Sequence, residues 1–232
     1  MIDTKFDFRT DTPTGKDPDK YSKTLKAYHQ KLWSRELPNG EIMKLVESRD
    51  PYCYLTWKNF DFGSDSIIVE LQYKKYKHIL DQVADIVGDT ESYYENLIRR
   101  SYTIGGMIIF PKHPNSMNQR RGTCGKISDR WDLTLECIRK YYIGEESPLS
   151  KVIENDKSFF DLFVDFKGYV DFFLLQDCVD DEYNVKFWLE TPLFVSMPMP
   201  KDIDEYYRWI QSQLDFVEKR GKRIKDYCGI KD

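Results

Sequence analysis

The stretch Ile104-Gly-Gly-Met-Ile-Ile-Phe110 carries no charge and stops at Pro111. No other segment constrains the fold as strongly. A run of apolar residues, rather than an alternation, belongs to a strand covered on both faces, so the chain must supply partner strands and covering helices. Helical material follows closely. Trp131, Leu135, Ile138 and Tyr142 fall at i, i+4, i+7 and i+11, on one face of a helix that begins near Ser128.

The remaining elements come in no regular order. Residues 5–9 read as a short strand leading into a turn-rich arm over about 1–20. Asp19 is placed to cap a helix over 20–34, and Leu37-Pro-Asn-Gly40 is a turn. Strands are expected over 52–57 and 66–71, a helical face from Tyr73 to Val87, and a helix over 92–100. Residues 158–164 read as helix, 169–175 as strand or helix, and 185–189 as strand. An amphipathic helix over about 203–225 closes the chain. Without a β-α alternation the class is α+β: a single compact domain over 1–232, with a mixed sheet of short strands and several packed helices.

The 232 residues are 41% hydrophobic, enough for a core, and 15% aromatic. A net charge of −4 argues against gripping nucleic acid through global charge and leaves a local basic site open. The start lacks a basic segment followed by an apolar one, and no apolar run approaches the roughly 20 residues of a membrane span. Cys53, Cys124, Cys137, Cys178 and Cys228 are odd in number and widely spaced, as expected of reduced thiols. A cytoplasmic protein that contacts no membrane is the expectation.

The most informative local feature is the stretch 111–128. It holds Lys112, Arg120, Arg121 and Lys126 without one Asp or Glu. Gly122 and Gly125 permit positive φ, which would let successive backbone N–H groups converge on an anion at the start of the next helix. Arginine adds a fork that matches phosphate oxygens. The stretch is not a Walker A loop, because Arg120 stands where that pattern needs Gly and Ile127 where it needs Ser or Thr. Arg120 and Arg121 would bind phosphate, Lys126 and the Gly122–Gly125 backbone would cradle it, and Asn118 or Gln119 would orient the ligand. Arg120 and Arg121 are adjacent, so at most one is expected to point inward. The alternative is a surface loop whose arginines pair with nearby acids.

Other acids are candidates for chemistry. Asp132 and Asp171 lie in strongly apolar surroundings, where a carboxylate needs a cation or donors. The run ending in Glu70-Leu-Gln72, with Asp61 and Asp65 upstream, is loosely similar to the acidic set of Mg²⁺-dependent nucleases. His29, His78 and His113 are too far apart for a metal site by spacing. His29 is expected to pack on Trp33, and His113, inside the basic loop, suits an acid–base or phosphate-contact role.

Several longer phrases carry a resemblance. Phe6-Asp-Phe-Arg-Thr-Asp-Thr-Pro-Thr-Gly-Lys-Asp-Pro-Asp19, Tyr28-His-Gln-Lys-Leu-Trp-Ser34 and Gly105-Gly-Met-Ile-Ile-Phe-Pro111 are three of them. Asp129-Arg-Trp-Asp-Leu-Thr-Leu-Glu-Cys-Ile-Arg-Lys-Tyr-Tyr142 and Phe166-Lys-Gly-Tyr-Val-Asp-Phe-Phe-Leu-Leu-Gln-Asp177 are the others. Together they resemble an uncharacterised bacterial family, a domain of unknown function. The resemblance implies one intact domain and brings no activity, cofactor or catalytic residue.

The leading expectation is therefore a phosphate-bearing ligand, a nucleotide or a nucleic-acid end, at the 111–128 loop. A metal-dependent nuclease using Asp61 or Asp65 with Glu70 and Gln72 is the second. The third is a protein-interaction module presenting Tyr206, Tyr207 and Trp209, whose alternative is core packing.

Overall fold

A computed structural model describes residues 1–49, 54–68 and 77–230. Its four strands, β1 (Val46–Glu47), β2 (Leu55–Trp57), β3 (Phe60–Ser66) and β4 (Met107–Pro111), lie in that order across one sheet. Every pairing among them is antiparallel, where the sequence suggests a mixed sheet. The class is α+β. A two-residue turn at Lys58 and Asn59, with Lys58 at φ 54°, joins β2 to β3. The β3–β4 ladder runs from Phe62 opposite Pro111 to Ser66 opposite Met107.

All five residues of β4 are buried, as its charge-free sequence requires. The strand is shorter than expected, because residues Ile104–Gly106 tighten into a 3₁₀ turn. Their neighbours explain why. A Cβ on Gly105 would overlap the Val217 carbonyl, and one on Gly106 would overlap the Ser101 carbonyl. Two glycines admit these backbones, where any side chain would clash.

Ten helices occur among the described residues: α1 (Pro18–Tyr21), α2 (Lys23–Trp33), α3 (Lys77–Val87), α4 (Thr90–Ser101), α5 (Met117–Arg120), α6 (Trp131–Tyr142), α7 (Ser150–Asn155), α8 (Lys157–Phe160), α9 (Phe166–Phe172) and α10 (Ile203–Tyr227). The cap of α2 is Ser22, whose Oγ accepts from the Leu25 amide at 3.0 Å, and not Asp19. Asp19 belongs instead to α1, which Asp17 caps and Pro18 opens. Residues 5–9 are not a strand, since Phe8–Asp11 form a 3₁₀ turn with the Asp7 carboxylate on the Arg9 amide. Helix wins in the 169–175 region, where Asp165 accepts from the Gly168 amide at 2.7 Å and starts α9. Over 185–189 only an isolated bridge between Val179 and Val185 forms. Residues 52–53 and 69–71 of the expected strands lie outside the described residues.

Two apolar clusters share α10. The larger joins the sheet to α2, α6, α8 and α9 through aromatic contacts, with Phe163 5.1 Å from Phe159 and 5.2 Å from Tyr169. The smaller is built by α3, α4 and the first half of α10, around Ile79, Val83, Tyr206 and Trp209. Within the larger cluster sits Arg220, fully buried, whose pKa burial pulls down to about 10. Its guanidinium donates to Phe173 O at 3.0 and 3.1 Å, Gly105 O at 3.1 Å and Met107 O at 2.8 Å. Among the described residues it pairs with no carboxylate. No described helix is long and apolar enough to cross a membrane.

Candidate functional site

Strand periodicity puts Asp61, Gly63 and Asp65 on one face of β3. The basic loop lies across that face. Lys112 N donates to Asp61 O at 2.8 Å, and Asn118 Nδ2 to Ser64 O at 2.9 Å. Gly63 makes room for this, because a Cβ there would stand 2.9 Å from Lys112 Cδ and 3.0 Å from Asn118 Cγ. The acids and the cations singled out from the sequence thus meet on one strip.

At the tail of the loop they consume each other. Arg121 is 1% exposed. Its Nε donates to Asp65 Oδ2 at 2.7 Å, and its Nη1 lies 3.1 Å from Asp129 Oδ1 and 3.3 Å from Asp129 O. Its Nη2 donates to Ser66 O. Burial alone would lower the Arg121 pKa, and the carboxylates of Asp129 and Asp65 outweigh it, holding the pKa above its ordinary value. Asp19 faces the same cluster and accepts from Ser64 Oγ at 3.3 Å. Burial first, then the charges of Asp65 and Asp17, push its carboxyl up to about 8. Arg121 is therefore a fold anchor, and its donors are turned away from solvent.

The expected glycine cradle takes another form. Neither Gly122 nor Gly125 has positive φ; the left-handed residues are Ser128 at 50° and Asp129 at 62°. The amides of Arg121, Thr123, Cys124, Ile127 and Ser128 bond to carbonyls within the loop's own turns. Gln119, Gly122, Gly125 and Lys126 are exposed around them.

The head of the loop is different. His113 Nε2 lies 2.6 Å from Oδ1 of Asp156, a buried carboxylate at the α7–α8 junction. Oδ2 of Asp156 accepts from the Met117 amide at 2.8 Å, where α5 begins. Burial is the chief cause of a raised Asp156 pKa. With Asp156 as acceptor the ring proton sits on Nε2, which leaves Nδ1 as a hydrogen-bond acceptor. Nδ1 has no partner among the described residues, and the His113 side chain is 43% exposed. Ser116 Oγ accepts from the His113 amide at 3.1 Å and donates to its carbonyl at 2.9 Å, which fixes the backbone.

His113 and Lys112 line a half-open cleft of about 230 Å³ with Asp61, Asn59, Asn155 and Ser158. Arg120 does not line the cleft but is linked to it through Asn115. Its Nη2 donates to Asn115 Oδ1 at 2.8 Å, and the Asn115 carbonyl accepts from Asn155 Nδ2 at 3.4 Å. Of the adjacent arginines, Arg120 is exposed and Arg121 is internal. Asp156, Asn155, Asn59 and Ser158 carry no spacing signal in the sequence. Lys112, His113 and Asp61 are the lining residues that the sequence singles out.

The other acids are occupied. Asp132 is buried against Arg130, whose Nε donates to Oδ1 at 3.0 Å, and its Oδ2 accepts from the Trp188 amide at 2.9 Å. Arg130 also donates to Pro198 O at 2.7 Å, so the pair clasps the 188–198 loop and exposes no catalytic oxygen. Asp171 pairs with Lys167 and accepts from Gln176 Nε2 at 3.0 Å and Tyr183 Oη at 3.1 Å. Asp61 faces the cleft whereas Asp65 faces Arg121, and Glu70 and Gln72 lie outside the described residues. Among the described residues no group of three or more His, Cys, Asp or Glu is placed to hold a metal ion. Tyr206 and Trp209 are buried under α3 and α4, which removes them as a docking surface. His29 is buried too, in ring contact with Tyr54 at 5.9 Å.

No curated protein and no solved structure matches the chain. A protein-family model described as a family of unknown function (DUF6994) matches residues 2–224. With nearly its whole length covered, the chain belongs to that family.

Proposed function

We propose that the cleft at the head of the basic loop binds a small phosphate-bearing ligand and that His113 exchanges a proton with it. One observation carries this reading: the 2.6 Å contact between His113 Nε2 and the buried Asp156. A carboxylate that fixes tautomer and ring orientation leaves the other nitrogen poised as a general base or, once protonated, as an acid. Lys112 supplies the charge for the phosphate inside the cleft, and Arg120, joined to the lining residue Asn155 through Asn115, would add a second cation. Asp61 would accept a hydroxyl of the ligand. The assignment keeps the ligand class expected of the loop and moves its contacts from Arg121 and the glycines to Lys112, His113 and Arg120.

The test is calorimetric titration with inorganic phosphate and with ribose 5-phosphate. Millimolar or tighter binding should weaken about tenfold in Lys112→Ala, as expected for a lost charge-assisted hydrogen bond. His113→Asn should weaken it further. Unchanged affinity in the Lys112→Ala/His113→Asn double variant, with a native circular dichroism spectrum, would exclude the site.

A further inference from the structure

We infer that the ligand carries a planar heteroaromatic base beside its phosphate, and that Phe60 is the surface on which the base rests. The inference rests on the phosphate reading above and concerns a further residue that lines the same cleft. Phe60 lines the cavity that holds Lys112 and His113, and it remains partly exposed there. It is rigidly backed. Trp57 lies parallel to it at 6.0 Å and 16°, Phe62 stands at 6.1 Å, and Phe159 meets it edge-on at 6.2 Å. A partly exposed aromatic residue that lines a polar cleft and is braced by three aromatic neighbours is held in place before a ligand arrives, and stacking a base on its accessible part needs little conformational change.

The polar groups beside it suit the edge of a base. Asn59 and Asn155 each carry one amide donor group and one amide acceptor. Asn59 makes no side-chain hydrogen bond among the described residues, and Asn155 uses only its Nδ2, at 3.4 Å. These amides serve a ring that presents adjacent donors and acceptors better than they serve a bare sugar phosphate.

Size sets the upper limit. A cavity of about 230 Å³ holds roughly eight waters at ~30 Å³ each. That is room for one base or one phosphoribosyl unit with the rest of the ligand at the open mouth, and a double helix does not enter. Phosphate and base together occur in a free nucleoside monophosphate and at an unpaired, phosphorylated nucleic-acid end.

Four probes separate the possibilities by calorimetry on the intact protein: inorganic phosphate, ribose 5-phosphate, adenosine 5′-monophosphate and a 5′-phosphorylated single-stranded dinucleotide. Adenosine 5′-monophosphate should bind about tenfold tighter than ribose 5-phosphate, the low end of what one stacked base contributes. Phe60→Leu should erase that gain and leave ribose 5-phosphate unchanged. Because Phe60 also touches the core, Asn59→Ala provides a second variant at an exposed turn, and it should reduce the same gain.

A dinucleotide that binds tighter than the mononucleotide assigns the ligand to a nucleic-acid end, and equal affinity assigns it to a free nucleotide. Equal binding of ribose 5-phosphate and adenosine 5′-monophosphate overturns the base while leaving the phosphate site standing. Absence of binding by all four probes overturns both.

Discussion

Arg121 and Arg220 are equally buried, yet their charges are satisfied in opposite ways. Arg121 is surrounded by carboxylates, with Asp65 and Asp129 on its guanidinium and Asp19 close behind. Arg220 bonds to the carbonyls of Phe173, Gly105 and Met107, which tie α10 to the 3₁₀ turn and to the end of α9. Dipoles can satisfy a buried cation as hydrogen-bond partners, but they do not titrate. The first centre is therefore open to pH and the second is not. The tail of the basic loop depends on the first, since Arg121 fixes it to Asp65 and Asp129.

The harshest way to break the comparison is Arg121→Ala. Removing one partner leaves Asp65 and Asp129 without their cation, and the expected cost is about 3 kcal/mol in urea denaturation. A cost below about 1 kcal/mol would mean that solvent already screens the cluster.

Arg220→Met should cost less, about 2 kcal/mol, because what it leaves behind is unsatisfied carbonyls and no charge. If it proved the costlier of the two, carbonyl dipoles would be the stronger solution here.

Acidity sharpens the contrast. The Asp19 carboxyl titrates near 8 in the folded protein and near 3.9 in an unfolded chain. Between those values the folded state holds a proton that the unfolded state has lost. The contribution of Asp19 is fully present below pH ~4 and falls as pH rises toward 8, by at most about 1.4 kcal/mol per unit. Asp19→Asn should therefore gain on the wild type steadily from pH 5 to 8, whereas Arg220→Met should track it in parallel. Denaturation midpoints at four pH values would show it, and a constant Asp19→Asn difference would sink the assignment.

The smallest effect is expected from Gly63→Ala, about 1 kcal/mol of overpacking against Asn118 and Lys112. It should also weaken phosphate binding, because Lys112 is flexible enough to yield and would move from the cleft.

How much of this could be read from the residues varies with the range of the interactions involved. The α6 helix follows directly from its apolar spacing, and β4 from its lack of charge. The 3₁₀ turn before β4 does not, because it results from α10 lying against Gly105 more than a hundred residues later in the chain. The basic loop was visible as composition, but which cation turns inward was not. Arg120 and Arg121 are chemically alike, and their fates are decided by Asp65 on a distant strand. Asp156 carries no sequence signal for the same reason: it meets His113 across a separation of 43 residues.

That shared carboxylate has a kinetic consequence. Asp156 holds the His113 ring with one oxygen and the Met117 amide with the other, so it joins the head of the loop to the α7–α8 junction. Any local opening that separates the loop from Asp156 would expose the Met117 amide. Hydrogen exchange at Met117 would time that opening. A ligand bound to His113 would slow the exchange by mass action alone, in proportion to its occupancy.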